Sequence, residues 1–224
     1  PDGSRDQVRV GAPLPVHRPF GEVHDGRPVR VVGSVAHMRN DDERQRLATL
    51  LSERALFRES VVLSSGRRSD YYVDVRQVLL DPEGAYLSGR LSYPVLAASN
   101  PQAVGGLTLG ADPLVCAVSA AAFADGTRWT GFFVRKEAKK HGLQHWIEGP
   151  FVEEGTPVAI VDDVLTSGGS MLTAIERVRA AGAEVVSALV VIDREEDDGR
   201  AKVEAELGDA PLHALFTARE LLAL

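Results

Sequence analysis

A single cysteine, Cys116, in 224 residues excludes an intramolecular disulfide and a cysteine-rich zinc site. Long apolar runs are missing too. The longest spans residues 114–124 and is interrupted by Ser119, against roughly 18 to 20 apolar residues needed to cross a bilayer. Positive net charge is absent: 25 Lys+Arg against 32 Asp+Glu leave −7. That balance argues against adhesion to nucleic acid or anionic membrane over the whole surface, while leaving room for a local basic pocket. No basic-led apolar segment with a small-residue cleavage site opens the chain, so no secretory signal is expected, and cytoplasm is the simplest compartment for a lone thiol. What remains is ordinary globular composition, 44% hydrophobic and 25% charged. At this length it implies one substantial domain with a small appendage.

Residues 1–37 are rich in Pro, Gly, His and Arg with scattered apolar positions. The segment 1–38 reads as a peripheral extension, with a short strand conceivable at 29–35 and Met38 as a possible natural start. From Asn40 the pattern sharpens. Asn40 with Glu43 makes an N-cap, and Leu47, Leu50, Leu51 and Ala55 share one helical face, predicting a helix over 41–56. Two strand-like runs, 61–63 and 71–75, flank a basic Gly-containing turn and predict a hairpin-like arm. Asp81-Pro82 then opens a helix to about residue 99, with a kink or break at Pro94. Beyond it strands at 103–107, 130–134, 158–161 and 185–192 alternate with helices at 112–124 and 169–181. This is the signature of a twisted, mainly parallel α/β sheet covered by helices on both faces. Ligands of such sheets bind beyond the C-terminal strand ends. The acidic run 195–198 reads as a solvated loop.

At one of those strand ends stands Val158-Ala159-Ile160-Val161-Asp162-Asp163-Val164-Leu165-Thr166-Ser167-Gly168-Gly169-Ser170. Glycines permit close backbone approach, the helix start presents unpaired N–H groups, and Thr166, Ser167 and Ser170 add hydroxyl donors, so the loop suits a monophosphate. Asp162 and Asp163 would repel that phosphate, but they can accept hydrogen bonds from a sugar attached to it. The loop lacks the Gly-Lys-Ser/Thr ending of a P-loop and the Gly-x-Gly-x-x-Gly of a dinucleotide site. A plain strand-turn-helix with Asp163 as N-cap is the competing reading from spacing alone. A second concentration of charge lies at Arg135, Lys136, Lys139 and His141, four potential donors within seven residues of an acidic chain. Such crowding points to an anionic partner such as pyrophosphate. Arg194, after an apolar strand, can pair with a carboxylate in bidentate fashion.

The segment ending Asp-Asp-Val-Leu-Thr-Ser-Gly-Gly-Ser resembles the phosphoribosyl pyrophosphate (PRPP) signature of type I phosphoribosyltransferases. The runs 133–149, 63–74 and 104–113 and the pair Asp193-Arg194 are similar to the orotate phosphoribosyltransferases within that family. The resemblance covers about residues 41–224. It implies the type I phosphoribosyltransferase fold over 39–224, with a small hood from about 39–80. It also implies PRPP and orotate as substrates, Mg2+ held mainly by PRPP, and a homodimer with shared active sites. Transferred residue by residue, it assigns PRPP to Arg135, Lys136, Lys139, His141, Asp162, Asp163, Val164, Leu165, Thr166, Ser167, Gly168, Gly169 and Ser170. Orotate falls to Thr166 and Arg194, and catalysis to Lys136, Lys139 and Asp163. Ser64 and Gly110 stand where many members carry lysine. A transferase for another base and a PRPP-binding regulator are the alternatives. The Arg-Lys-x-x-Lys-x-His-Gly segment counts against a purine-type enzyme, and the lack of a helix-turn-helix pattern in 1–37 counts against a regulator.

Overall fold

The computed structural model describes residues 40–58, 61–62, 68–137, 146–150 and 153–224, with the side chains of 61–62 and 68–69 left out. The extension 1–38, the strand expected at 29–35, the arm tip at 63–67 with Ser64, and Lys139 and His141 lie outside the described residues.

Six strands make the main sheet. They are β5 (Ala103–Leu107), β6 (Thr130–Val134), β7 (Ile147–Glu148), β8 (Pro157–Leu165), β9 (Glu184–Asp193) and β10 (Leu212–Thr217), in spatial order β10-β9-β8-β5-β6-β7. All neighbours run parallel except β7, which pairs antiparallel with β6. The central strands β8 and β9 are buried almost throughout, as expected when helices cover both faces. Alternate residues therefore serve different cores. Ala159, Val161, Leu189 and Val191 join the cluster under α1 (Asn40–Arg54), α3 (Pro82–Ala97) and α4 (Asp112–Ala124). Val158, Ile160, Ala188 and Val190 join the opposite cluster under α5 (Gly169–Ala180) and α6 (Gly199–Leu207). On α5 the buried residues Met171, Ala174, Ile175 and Val178 fall at i, i+3, i+4 and i+7, one apolar stripe on the sheet.

The segment expected to form a hood contains α1, four short strands and α2 (Arg76–Leu79). Here the pairing differs from the expected hairpin. β2 (Val61–Val62) pairs with β3 (Arg68–Ser69), whereas β4 (Tyr72–Val73) pairs with β1 (Leu56–Phe57), a segment whose first residue the sequence reading placed at the end of α1. The helix stops at Arg54, and Leu56 and Phe57 turn into a strand with the Phe57 and Tyr72 rings 6.2 Å apart. Asp81 caps α3 as expected, its carboxylate accepting from the N–H groups of Glu83 and Gly84. Pro94 does not break α3, which continues to Ala97. α2, β7, α6, β10 and α7 (Ala218–Leu222) were not anticipated; β10 is an edge strand whose polar His213 and Thr217 dilute the strand signal.

Candidate active site

β8 runs to Leu165, four residues beyond the expected strand, so Asp162 and Asp163 lie inside its C-terminal end rather than in the turn after it. That placement removes Asp163 as a helix N-cap; the N-cap position belongs to Gly168. Asp162 is 5% exposed. Its Oδ1 accepts the Asp163 N–H at 3.0 Å, and Asp163 Oδ1 accepts the Val164 N–H at 2.9 Å. Burial pushes the Asp162 carboxyl well above the usual carboxylate range, and the adjacent Asp163 charge pushes it further. Burial also raises Asp163, opposed by its hydrogen bonds and by Arg76. Among the described residues, Lys136 acts favourably on Asp162 and Arg76 on Asp163. Arg76, at the start of α2 and tied to Asp74 at 2.8 Å, was missed by sequence reasoning because its neighbourhood to Asp163 depends on how the hood meets the sheet.

The turn that follows has little freedom. Gly168 sits at φ +81°, where a side chain is strained, and a Cβ there would come within 2.9 Å of Val203. Gly199 at the head of α6 lies so close that a Cβ would stand 2.0 Å from the Thr166 carbonyl oxygen. Packing of α6 therefore fixes the backbone of Thr166, Ser167 and Gly168. Gly169 by contrast meets only Ser167 Oγ among the described residues, at 3.7 Å from its Cβ direction. Ser167, Gly169 and Ser170 are exposed and Thr166 half-buried, so the turn's polar groups and the first N–H groups of α5 can reach an anion. Val164 and Leu165 belong to β8; Leu165 is buried. Gly110 packs on the other side, where a Cβ would meet Asp163 Oδ1 at 2.6 Å, so a lysine at this position would require the carboxylate to move.

Arg194 enters from the neighbouring strand. Its backbone N–H donates to the Leu165 carbonyl at 2.9 Å, which places it beside the turn. Its side chain is 4% exposed, not a surface arginine, and its guanidinium lies 4.5 Å from the Tyr71 ring centroid and 3.0 Å from Glu196. The acidic run is likewise more than a solvated loop. Glu195, Asp197 and Asp198 take left-handed φ values of 56°, 56° and 52°, turning the chain so that Glu196 points inward.

At the far side of the sheet Arg135 and Lys136 follow β6. Arg135 donates from its backbone to the Trp146 carbonyl at 2.8 Å and from Nη1 to Glu148 at 2.5 Å, which joins the two roots of the basic segment. Arg177 of α5 donates to the carbonyls of Arg135 and Lys136 and stacks 4.0 Å from the Trp146 ring. Lys136 is exposed. The described residues thus bring Asp162, Asp163, the 164–170 turn, Lys136 and Arg194 to one end of the sheet, while Arg135 spends its charge on the stem.

Comparison with known proteins decides what this constellation belongs to. The phosphoribosyl transferase domain family matches residues 115–205. An orotate phosphoribosyltransferase of Aquifex aeolicus is 45% identical over 183 residues, covering 80% of this chain and 98% of that protein. The chain belongs to the orotate phosphoribosyltransferase family. Its fold is that of the family as well. The crystal structure of the Mycobacterium tuberculosis orotate phosphoribosyltransferase superposes with a TM-score of 0.71 at 39% identity, covering 80% of this chain and 98% of that one. The same protein in complex with PRPP gives 0.65 at 35% identity over the same shares.

Proposed function

We propose that this chain transfers the 5-phosphoribosyl group of PRPP to orotate, giving orotidine 5′-monophosphate and pyrophosphate, a step of pyrimidine synthesis carried out in the cytoplasm. One observation carries the reading: two carboxylates at the end of a buried strand run directly into a rigid small-residue turn, with a buried arginine alongside.

The 164–170 turn holds the 5′-phosphate through backbone N–H groups and hydroxyls, a site that needs no reorganisation on binding. Asp162 and Asp163 accept hydrogen bonds from the ribose hydroxyls. Positive charge develops on the ribose as the bond to pyrophosphate breaks, and their negative charge lies next to it. Arg194 pairs with the orotate carboxylate and Thr166 borders the base. Lys136, with Lys139 and His141, neutralises the departing pyrophosphate, while Arg135 keeps the root of that segment in place. Mg2+ fits the site: a hard cation suits two adjacent carboxylates, and with no cluster of three or more ligating side chains among the described residues most of its ligands would come from PRPP. When bound, it supplies charge neutralisation of the pyrophosphate oxygens. A homodimer in which each basic segment serves the shared sites accords with the resemblance.

The test is the loss of orotate absorbance with PRPP and Mg2+, with uracil and hypoxanthine as competing bases. Turnover with orotate and none with the other two is expected. Turnover with hypoxanthine instead would overturn the assignment of the base.

A further inference from the structure

The charge on Arg194 has a partner within the chain. Glu196 Oε1 accepts from Arg194 Nη2 at 3.0 Å and from the Tyr71 hydroxyl at 2.8 Å, so a single carboxylate oxygen joins the arginine and the tyrosine on which it stacks. The arginine side chain is 4% exposed and Glu196 21%, so this pair interacts through a medium far less screening than water. A buried guanidinium without a counter-charge is costly, and Glu196 offsets that cost. A second carboxylate brought to the same guanidinium must then either replace Glu196 or bind against its repulsion.

We propose that Glu196 tunes affinity at the base site: it is a built-in competitor for Arg194 that the carboxylate of the incoming base must displace, with the Tyr71 hydroxyl holding it in the competing position. Neutral bases leave the Arg194–Glu196 pair intact, so the competitor weakens binding of the carboxylate-bearing base alone, and small anions, which bring no ring to stack within the site, meet the same competitor and are kept off the arginine. The competitor thus lowers orotate affinity and narrows the margin of orotate over neutral bases, while keeping the buried guanidinium compensated. The inference rests on the reading of Arg194 as the carboxylate receptor.

Steady-state kinetics on four variants separates the two. Arg194→Ala should raise the KM for orotate. Glu196→Gln, of the same shape without the charge, should lower it about fivefold, the scale of a partly buried charge interaction. Glu196→Ala should lower it as well, and Tyr71→Phe, which frees Glu196 but keeps the ring under Arg194, should lower it by a smaller factor. A merely structural Glu196 would give the opposite sign in all three. The inhibition constant of 6-methyluracil, a neutral analogue, should be unchanged in Glu196→Gln, and thermal melts confirm folding. An unchanged or raised orotate KM in both Glu196 variants, with Arg194→Ala still raising it, would overturn the competitor and leave the receptor standing. An unchanged KM in Arg194→Ala would overturn the receptor, and the competitor with it.

Discussion

The turn after β8 and the root of the basic segment after β6 are both proposed to serve anions, yet they are held in place by different means. The turn is positioned by backbone packing: Gly168 in a left-handed conformation, and Gly199 of α6 pressed against the Thr166 carbonyl. The root is positioned by side chains, the Arg135–Glu148 pair and the Arg177 guanidinium on two carbonyls and the Trp146 ring. Arg135 and Glu148 are each more than a third exposed, so their ion pair is weak and exchangeable. The difference separates two tasks. A rigid turn suits recognition of the unchanging 5′-phosphate, whereas a side-chain tether suits groups whose partner gains charge only as the bond to pyrophosphate breaks.

Disrupting the rigid half should have the largest effect. Gly199→Val places side-chain atoms on the Thr166 carbonyl and should raise the dissociation constant for PRPP by about 100-fold or more, through loss of several phosphate hydrogen bonds. Calorimetric titration, with circular dichroism to confirm folding, measures it; wild-type affinity would break the distinction. Removing a charge from the other half should act on rate instead. Lys136→Ala should lower kcat by about 100-fold with PRPP affinity changed by only a small factor, the pattern of an interaction made mainly in the transition state. Arg177→Ala should follow the same pattern more mildly. A roughly tenfold drop in kcat and about 1 kcal/mol of lost stability are expected from the stacking and hydrogen bonds, read by stopped assays and denaturant melts.

The smallest effect sharpens the electrostatics of the turn. Burial raises the Asp162 pKa above its unfolded value, so its contribution to stability is full below the unfolded carboxylate pKa and is lost as pH rises through the folded one. Asp162→Asn should therefore melt higher than wild type at neutral pH by a few degrees, the difference vanishing toward pH 4, while losing activity. A variant less stable than wild type at pH 7 would show that the carboxylate is stabilising there.

Much of this was legible in the sequence. Apolar strands of β-branched residues alternating with 3.6-period helices pointed to the parallel sheet, and the 158–170 segment stood out as the candidate site because its chemistry is contiguous. The remainder depends on contacts distant in sequence. Nothing local tells that Leu56 and Phe57 leave helix α1 to pair with Tyr72 and Val73, since a leucine and a phenylalanine extend an apolar helical stripe equally well. The roles of Arg76, Arg177 and Gly199 arise only where the hood, α5 and α6 meet the strand ends. Glu196 was hidden in an acidic run, and only three left-handed residues around it turn it inward.

The most direct measurement is a calorimetric titration of the chain with PRPP in the presence of Mg2+, for wild type and for Gly168→Ala, whose φ of +81° and neighbouring Val203 leave no place for a methyl group. Saturable binding by the wild type that is abolished in Gly168→Ala is the predicted result. No heat with the wild type, or equal affinity in the two proteins, would contradict the assignment of the sugar phosphate to this turn.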